Sequence, residues 1–183
     1  LEDDLPADQA GDVASRYGPP LEYLERDRDT GRLRDVGVEL GFYLSESKRR
    51  GWHAEVVDVS PCTKEYAAEA FGLEVHIGEL NSLDHPQESY DGISLWDTLE
   101  HVQSPSALLR EVHRLLRPKG LLLLSTPNWN SLSRYLLGPD FQAIGPDDHI
   151  YYFSSETLSK LVRGGGVQAG PLGDAVPGDR LHP

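Results

Sequence analysis

The sequence predicts an α/β fold in which a doubly wound, mostly parallel sheet carries helices on both faces. Three observations support this fold class. Apolar strand-like runs alternate with helical patterns along most of the chain. A turn containing Gly37 and Gly41 joins the first strand to a helix, and such a turn lets a ligand approach the backbone closely. The second strand ends on an acid, Asp58, 21 residues after Gly37, where nucleotide-binding folds of this class hold ribose hydroxyls.

Helix and strand signals follow one another in a regular order. Helices are predicted where apolar residues recur at helical spacing or where a serine and a proline open a helix, as at Ser60 and Pro61. Strands are predicted at short runs rich in valine, isoleucine or leucine. The helices are expected at residues 17–28, 42–50, 61–71, 105–116 and 155–163, and the strands at residues 33–36, 53–57, 73–77, 91–96 and 121–124.

The end of the predicted sheet has its own signals. The four leucines at residues 121–124 are typical of a central strand that helices cover on both faces. Residues 126–150 show no regular pattern. Phe153 and Ser154 then predict a hydrophobic staple and an N-cap for the last helix.

Composition divides the chain into three parts. Residues 1–15 are acidic and lack periodicity, so we expect a mobile N-terminus there. Residues 16–167 carry the helix and strand signals of one α/β domain. Residues 168–183 are rich in glycine and proline and are expected to form a tail. The chain contains no methionine, which indicates a fragment or a trimmed chain.

Charge and cysteine usage narrow the partners and the compartment. The formal net charge of −13 disfavours nucleic acid and anionic membrane, so a small molecule is the expected partner. No apolar run approaches the roughly 20 residues of a membrane-spanning helix. Cys62 is the only cysteine, which excludes an internal disulfide and is typical of a cytoplasmic protein.

Six sequence blocks resemble those of class I S-adenosylmethionine-dependent methyltransferases, over roughly residues 30–167. The resemblance implies a Rossmann-like fold and methyl transfer to an oxygen or nitrogen of a small molecule. It implies S-adenosylmethionine as the cofactor and S-adenosylhomocysteine as the product. The blocks, in chain order, are DVG with Gly41, VDVSP, GEL, WDTLEHV, LRPKG and HIYYFS.

The resemblance also implies which residues bind the cofactor. Asp58 would hold the ribose hydroxyls, Glu79 the adenine amino group and Asp97 the ammonium. Trp96, at the end of its strand, would lie in the ligand crevice. Simpler alternatives exist for three of these residues: Asp58 could cap the following helix, Glu79 could be an ordinary loop acid, and Trp96 could be a core residue. Asp35 could orient the glycine turn without touching the ligand. The complete set expected to bind the cofactor is Asp35, Gly37, Gly41, Asp58, Val59, Glu79, Leu80, Trp96 and Asp97.

The expected acceptor side contains histidines and an aromatic residue. His101 is the candidate general base, because an imidazole can take a proton from a substrate hydroxyl. The preceding Glu100 makes a pair that resembles the one in quinone O-methyltransferases. His149 and Tyr152 would line the same side, although His101 could instead anchor its loop and Tyr152 could pack in the core. Asp97, His101 and His149 match no metal-ligand spacing, so no metal is expected.

Three departures from the family pattern leave other functions open. Glu39 replaces the middle glycine of the first motif, where a carboxylate would oppose that of the cofactor. Arg34 stands in an apolar strand and needs a partner. The C-terminus is short, so the last strands are expected to be missing and a homodimer could cover the free edge at residues 121–124. The alternatives are a non-catalytic relative with lost cofactor binding and a nicotinamide-dependent enzyme.

Overall fold

The computed structural model describes residues 7–37, 41–138, 141 and 148–168. Strands and helices alternate through most of this chain, and a 3-10 turn lies at Leu80–Ser82. The helices and strands are α1 Ala7–Glu25, β1 Arg32–Val36, α2 Phe42–Arg49, β2 His53–Asp58, α3 Pro61–Phe71, β3 Glu74–Ile77, β4 Tyr90–Trp96, α4 Pro105–Leu115, β5 Leu116–Ser125, α5 Leu132–Leu137 and α6 Ser155–Gly164.

The five strands form one parallel sheet in the order β3-β2-β1-β4-β5. The chain builds outward from β1 in one direction and then returns to continue from β4 in the other. This reversal creates a switch point between β1 and β4, where open α/β sheets bind ligands at the carboxyl ends of their strands. The predicted α/β class is therefore confirmed.

Two apolar clusters lie on opposite faces of the sheet and show that helices cover both. One cluster joins the sheet to α1, α2 and α3 and includes Leu21, Leu44 and Ala67, all fully buried. The other joins it to α4 and α6 and includes Leu109 and Val162. For α1 and α4, the helices where the sequence shows apolar residues at helical spacing, the prediction that these residues face the core is confirmed.

Helix boundaries agree with the sequence where turn and cap residues mark them. α3 runs from Pro61 to Phe71 as predicted, and Gly72 ends it in a left-handed conformation with φ 59°. α6 follows a complete capping box, in which Ser154 and Thr157 each bond the backbone of the other. Phe153 ahead of it is buried.

Two helices were predicted wrongly. α1 begins at Ala7, so residues 7–15 are helical where a mobile segment was expected, and residues 1–6 lie outside the described part. Among the side chains that the structure describes, the apolar stripe of this helix begins at Tyr17, and the sequence of residues 1–15 shows no periodicity. α5 occupies residues 132–137 within the stretch expected to be irregular, with the Ser131 hydroxyl accepting from the backbone N–H of Arg134 at 3.2 Å.

β5 is the outermost described strand on the β4 side of the sheet, which agrees with the free edge expected at residues 121–124 and not with the central position that the leucine run alone indicated. Among the described strands it pairs with β4 alone, and the leucines at residues 121–124 are only partly buried. It also begins earlier than predicted, because residues 117–120 bulge out between the pairs Tyr90–Leu116 and Gly92–Leu121. The homodimer expected across this edge stays a prediction, and residues 169–183 of the expected tail lie outside the described part.

The buried arginine has the partner that it needs. Arg34 on β1 is inaccessible to solvent and bonds the Glu55 carboxylate on β2 and the Tyr90 hydroxyl on β4. Arg32 adds a second ion pair to Glu55 at 2.7 Å. None of the described helices combines the length and the apolar character needed to cross a membrane.

Candidate functional site

Three of the predicted site residues meet at the carboxyl edge of the sheet. Gly37 follows β1, Asp58 ends β2 and Asp97 follows β4. These strands are neighbours and run in parallel, so their carboxyl ends share one edge. The sheet therefore brings together residues that are 21 and 60 positions from Gly37 in the sequence.

The glycine turn has a backbone that only glycine adopts easily. Gly37 has φ 81° and donates its N–H to the Val57 oxygen at 2.9 Å. Gly41 has φ 76°, and a Cβ there would lie 2.7 Å from the ring of Phe71. Glu39 falls within residues 38–40, outside the described part of the chain, so its effect on a ligand stays a prediction.

Asp35 lies inside the sheet just ahead of this turn. Its side chain is buried and accepts a hydrogen bond from the hydroxyl of Ser94, its register partner on β4. The bond joins β1 to β4 at the switch point. This arrangement favours the supporting role weighed for Asp35 over direct ligand contact.

Asp58 is held in place at the end of β2. Its Oδ1 accepts the backbone N–H of Ser60 at 2.7 Å, so the carboxylate stands immediately ahead of α3. This is a local turn contact to the N-cap residue and not the helix cap of the simpler alternative, because the N-cap of α3 has no side-chain cap bond, and it fixes the carboxylate at the sheet edge. The neighbouring Val59 is 69% exposed, which leaves an apolar side chain open to a ligand.

Glu79 and Leu80 differ in their accessibility. Glu79 is exposed and precedes the 3-10 turn, so its carboxylate is available to a ligand. Leu80 is 2% exposed and packs in the cluster that contains α4. Any contact between Leu80 and a cofactor would therefore come from its main chain.

Trp96 joins the end of β4 to two helices. Its ring centroid lies 5.0 Å from that of Tyr43 on α2 and 5.5 Å from that of Tyr17 on α1. Burial raises the pKa of Tyr43 well above its ordinary value, so this phenol stays neutral. Trp96 thus shares in the core packing weighed for it, while standing at the ligand edge.

Asp97 has a strained backbone and two bonded carboxylate oxygens. It has φ 44°, in the left-handed region that non-glycine residues seldom adopt. The Ser125 hydroxyl donates to its Oδ1 at 3.0 Å, and Nη2 of Arg16 lies 3.2 Å from its Oδ2. Such strain is common at functional sites, where the surrounding structure holds it in place.

The expected acceptor side is assembled from two loops. His101 follows β4 and is exposed, and its Nδ1 lies 2.9 Å from the backbone oxygen of Asp148. The His101 and His149 rings pack edge to face with centroids 4.7 Å apart, and Tyr152 lies 5.9 Å beyond His149. His101 therefore anchors its loop, as the simpler alternative held. Its Nε2 can still form a hydrogen bond to a ligand.

Glu100 lies under this pair and was not among the predicted site residues. Its side chain is buried, and burial raises the pKa of the carboxyl group. Glu100, His101 and His149 bring possible ligand atoms within 4.8 Å of one another. The metal set weighed from the sequence contained Asp97 in place of Glu100. Carboxylate and imidazole are common ligands of divalent cations.

Sequence reasoning also missed Arg16 and Ser125. Both reach Asp97 from distant elements, α1 and β5. No local spacing announces such contacts, since Arg16 is 81 residues from Asp97. For Glu100 a signal existed, because it directly precedes the candidate base within the WDTLEHV block.

Comparison with known proteins gives one family for most of the chain. A family model described as a methyltransferase domain matches residues 10–168. Among curated relatives, the ubiquinone biosynthesis O-methyltransferase of Ruegeria pomeroyi is 29% identical over 175 residues, which cover 81% of this chain and 70% of the relative. The enzyme of the same name from Aeromonas salmonicida is 25% identical, covering 74% of this chain and 62% of the relative.

Other matches cover less of the relative. The ubiquinone biosynthesis O-methyltransferase of Xanthomonas oryzae is 32% identical over 117 residues, 59% of this chain and 48% of its own length. The chain thus spans about half to three fifths of the first curated relatives that it matches.

Solved structures support the fold. A methyltransferase from Archaeoglobus fulgidus, titled as dependent on S-adenosylmethionine, superposes with a TM-score of 0.70 at 22% identity, over 85% of this chain and 68% of that one. A Thermotoga maritima protein titled a possible histamine N-methyltransferase gives a TM-score of 0.65 at 23% identity, over 87% and 75%.

Proposed function

Since the chain belongs to the methyltransferase domain family, we propose that it transfers a methyl group from S-adenosylmethionine to an oxygen or nitrogen of a small molecule. The observation that carries the proposal is that Gly37, Asp58 and Asp97 lie at the carboxyl ends of three neighbouring strands, with His101 four residues after Asp97 in the chain. The relatives named ubiquinone biosynthesis O-methyltransferase favour oxygen as the acceptor atom. A cyclic hydroxyl compound is the acceptor class that we test first.

The residues at the sheet edge fit the cofactor. A bound S-adenosylmethionine supplies a methyl group activated by its sulfonium. Asp58 would accept from the ribose hydroxyls, Glu79 from the adenine amino group and Asp97 from the ammonium. Gly37 and Gly41 would let the backbone approach the ligand, since neither carries a Cβ. Alignment of acceptor, methyl group and sulfur supplies most of the acceleration in such a transfer.

His101 would act as the general base. If its Nδ1–H donates to the Asp148 oxygen, the lone pair of the neutral ring lies on Nε2. Nε2 can then accept the proton of an acceptor hydroxyl as the oxygen takes the methyl group. His149 and Tyr152 would position the acceptor beside it.

The first experiment measures binding of S-adenosylhomocysteine by calorimetric titration. We expect micromolar binding by the unaltered chain, or by the Glu39→Gly variant if Glu39 opposes the ligand. Binding by the variant alone would identify a relative that has lost its cofactor. If neither protein binds S-adenosylhomocysteine while the unaltered chain binds NAD, the result would favour the nicotinamide-dependent enzyme and refute the proposal.

The second experiment measures methyl transfer to cyclic hydroxyl and amine compounds. We expect His101→Gln to lower kcat by about 10²–10⁴-fold, the usual contribution of a positioned general base. Binding of S-adenosylhomocysteine should change little. His113→Gln is the matched control, because His113 is exposed on α4 at a distance in sequence from the site. Equal rates for all three proteins would remove His101 from the mechanism.

A second candidate role concerns the same loop cluster. Glu100, His101 and His149 would hold a divalent cation that binds the acceptor oxygen, because their ligand atoms already lie within 4.8 Å of one another. Loss of methyl transfer on chelation, with recovery on adding Mg²⁺ or Zn²⁺, would assign this role. Activity that is unaffected by a chelator would leave His101 as the base.

A further inference from the structure

The Thr98 side chain joins β4 to β1 at the carboxyl edge of the sheet. Its Oγ1 lies 2.9 Å from the backbone oxygen of Val36 and 2.9 Å from that of Trp96. The last register pair that the structure describes between these strands is Asp35–Ser94, one residue before Val36. The Thr98 hydroxyl therefore continues the connection between β1 and β4 to the point where the two strands separate.

Thr98 also lies against the glycine turn. Val36 is the last residue of β1, and Gly37 follows it directly. A Cβ on Gly37 would lie only 3.0 Å from Thr98 Oγ1, so the hydroxyl occupies the space beside the glycine. On the other side, the Gly37 N–H donates to the Val57 oxygen at 2.9 Å. The start of the turn is thus held between the loop after β4 and the end of β2.

The same residue holds the loop that carries Asp97. Asp97 has a strained φ of 44°, and a residue keeps such a conformation only where the surrounding structure fixes it. The backbone and hydroxyl oxygens of Ser125 accept the Asp97 N–H at 3.1 Å and 3.2 Å. Thr98, the next residue, is fixed by its hydroxyl, and its backbone oxygen accepts the N–H of His101 at 3.1 Å. The strained residue is therefore held on both sides.

We propose that Thr98 is a positioning residue for the methyl donor. Its hydroxyl holds the glycine turn and Asp97 at the separation that fits the α-amino-acid part of S-adenosylmethionine. This inference rests on the proposed function and adds a residue to it. A hydroxyl carries one proton, so the backbone oxygens of Val36 and Trp96 compete for it or share it. Thr98 acts through the two segments that it joins.

The effect of Thr98 should be confined to one part of the ligand. Asp58 and Glu79, which we assign to the ribose and the adenine, lie at the ends of β2 and β3. Among the described residues, the Thr98 hydroxyl bonds only to β1 and β4. Loss of this hydroxyl should therefore weaken binding of the amino-acid part and leave binding of the adenosine part unchanged.

The test compares two ligands that share the adenosine part. S-adenosylhomocysteine carries the amino-acid part, and 5′-methylthioadenosine lacks it. We expect Thr98→Val, which keeps the branched shape and removes the hydroxyl, to weaken S-adenosylhomocysteine binding by about tenfold in calorimetric titration. Its affinity for 5′-methylthioadenosine should match that of the unaltered chain. Thr98→Ala should behave in the same way, and Thr98→Ser, which keeps the hydroxyl, should restore most of the affinity.

Thr30→Val is the matched control. Thr30 is exposed in the loop before β1, at the amino ends of the strands, so loss of its hydroxyl should change neither affinity. If Glu39→Gly is the form that binds, the same substitutions are made in it.

Unchanged S-adenosylhomocysteine binding by Thr98→Val would refute the inference alone. Equal weakening of both ligands would do the same, because a purely structural role predicts it. If no folded protein binds S-adenosylhomocysteine, the cofactor proposal and this inference are both refuted.

Discussion

Arg34 and Glu55 lie opposite each other on β1 and β2 and form an ion pair in the interior of the sheet. Tyr90 bonds both partners through its hydroxyl. Removal of one partner leaves the other charge buried, which typically costs about 3–5 kcal/mol. We therefore expect Glu55→Gln to lower the free energy of unfolding by about 3 kcal/mol, measured by urea denaturation.

The exposed pair of Glu156 and Lys160 on α6 gives the control. Its Nζ–Oε1 distance is 2.7 Å, but both side chains are largely in solvent. Lys160→Ala should change the free energy of unfolding by less than about 1 kcal/mol. Similar losses of unfolding free energy for the two variants would show that the interior pair stabilises the fold no more than the exposed pair does.

The same pair predicts how stability depends on pH. Burial alone would raise the pKa of Glu55, but the hydrogen bond from Arg32 and the charges of Arg34 and Arg32 outweigh it and lower the pKa. The folded value then lies below the unfolded one. The stabilisation is present above the unfolded value and is lost as pH falls through the folded value. The stability gap between the unaltered chain and Glu55→Gln should therefore shrink between about pH 6 and about pH 3. A gap that stays constant over this range would contradict the assignment.

Substitution of Gly41 should damage the glycine turn. Alanine there combines φ 76° with a Cβ only 2.7 Å from the Phe71 ring. We expect Gly41→Ala to lower the free energy of unfolding by about 1–3 kcal/mol and to weaken S-adenosylhomocysteine binding. Gly164→Ala is the contrasting variant, since Gly164 ends α6 and has open space around its Cβ position. It should be neutral or slightly stabilising by thermal denaturation, and a loss equal to that of Gly41→Ala would refute the prediction.

Asp58→Asn separates a ligand role from a structural one. An asparagine oxygen can still accept the Ser60 N–H, so the turn into α3 should survive. The negative charge that we assign to the ribose hydroxyls is lost. Calorimetry should show about tenfold weaker S-adenosylhomocysteine binding with little change in the midpoint of unfolding. The exposed Asp29→Asn serves as control. Unchanged affinity would leave Asp58 with only its local bond to the Ser60 N–H.

Local sequence signals such as helix caps and apolar runs predicted the fold well. They could not predict contacts between segments that are distant in the sequence. The Ser60, Pro61 and Gly72 signals located α3 to the residue, because caps and breakers act on their immediate neighbours. The upstream part of α1 was missed, since residues 7–15 show no apolar periodicity. For β5 the leucine run indicated a central strand and the short C-terminus an edge strand, and the run misled because an apolar run does not report how many strands flank it.

The candidate site shows the same division. Gly37, Asp58 and Asp97 could be placed at one edge because strand ends in a parallel sheet must meet there. Arg16 beside Asp97 and His149 beside Glu100 could not, because each contact closes a long stretch of chain. Contacts between residues so distant in sequence depend on the whole tertiary structure and produce no periodic pattern in the sequence.

The main chain of Glu100 ties the two sides of the site together. Its carbonyl oxygen accepts the N–H groups of Ile150 at 2.8 Å and Tyr151 at 3.2 Å, so the segment carrying His149 is joined to the loop that begins at Asp97. We expect that these hydrogen bonds couple the two sides, so that binding of the methyl donor changes the affinity for the acceptor and binding of the acceptor changes the affinity for the donor. Reciprocity then requires each to change the affinity for the other by the same factor, whichever binds first. An acceptor screened without S-adenosylhomocysteine would accordingly look weaker than it is.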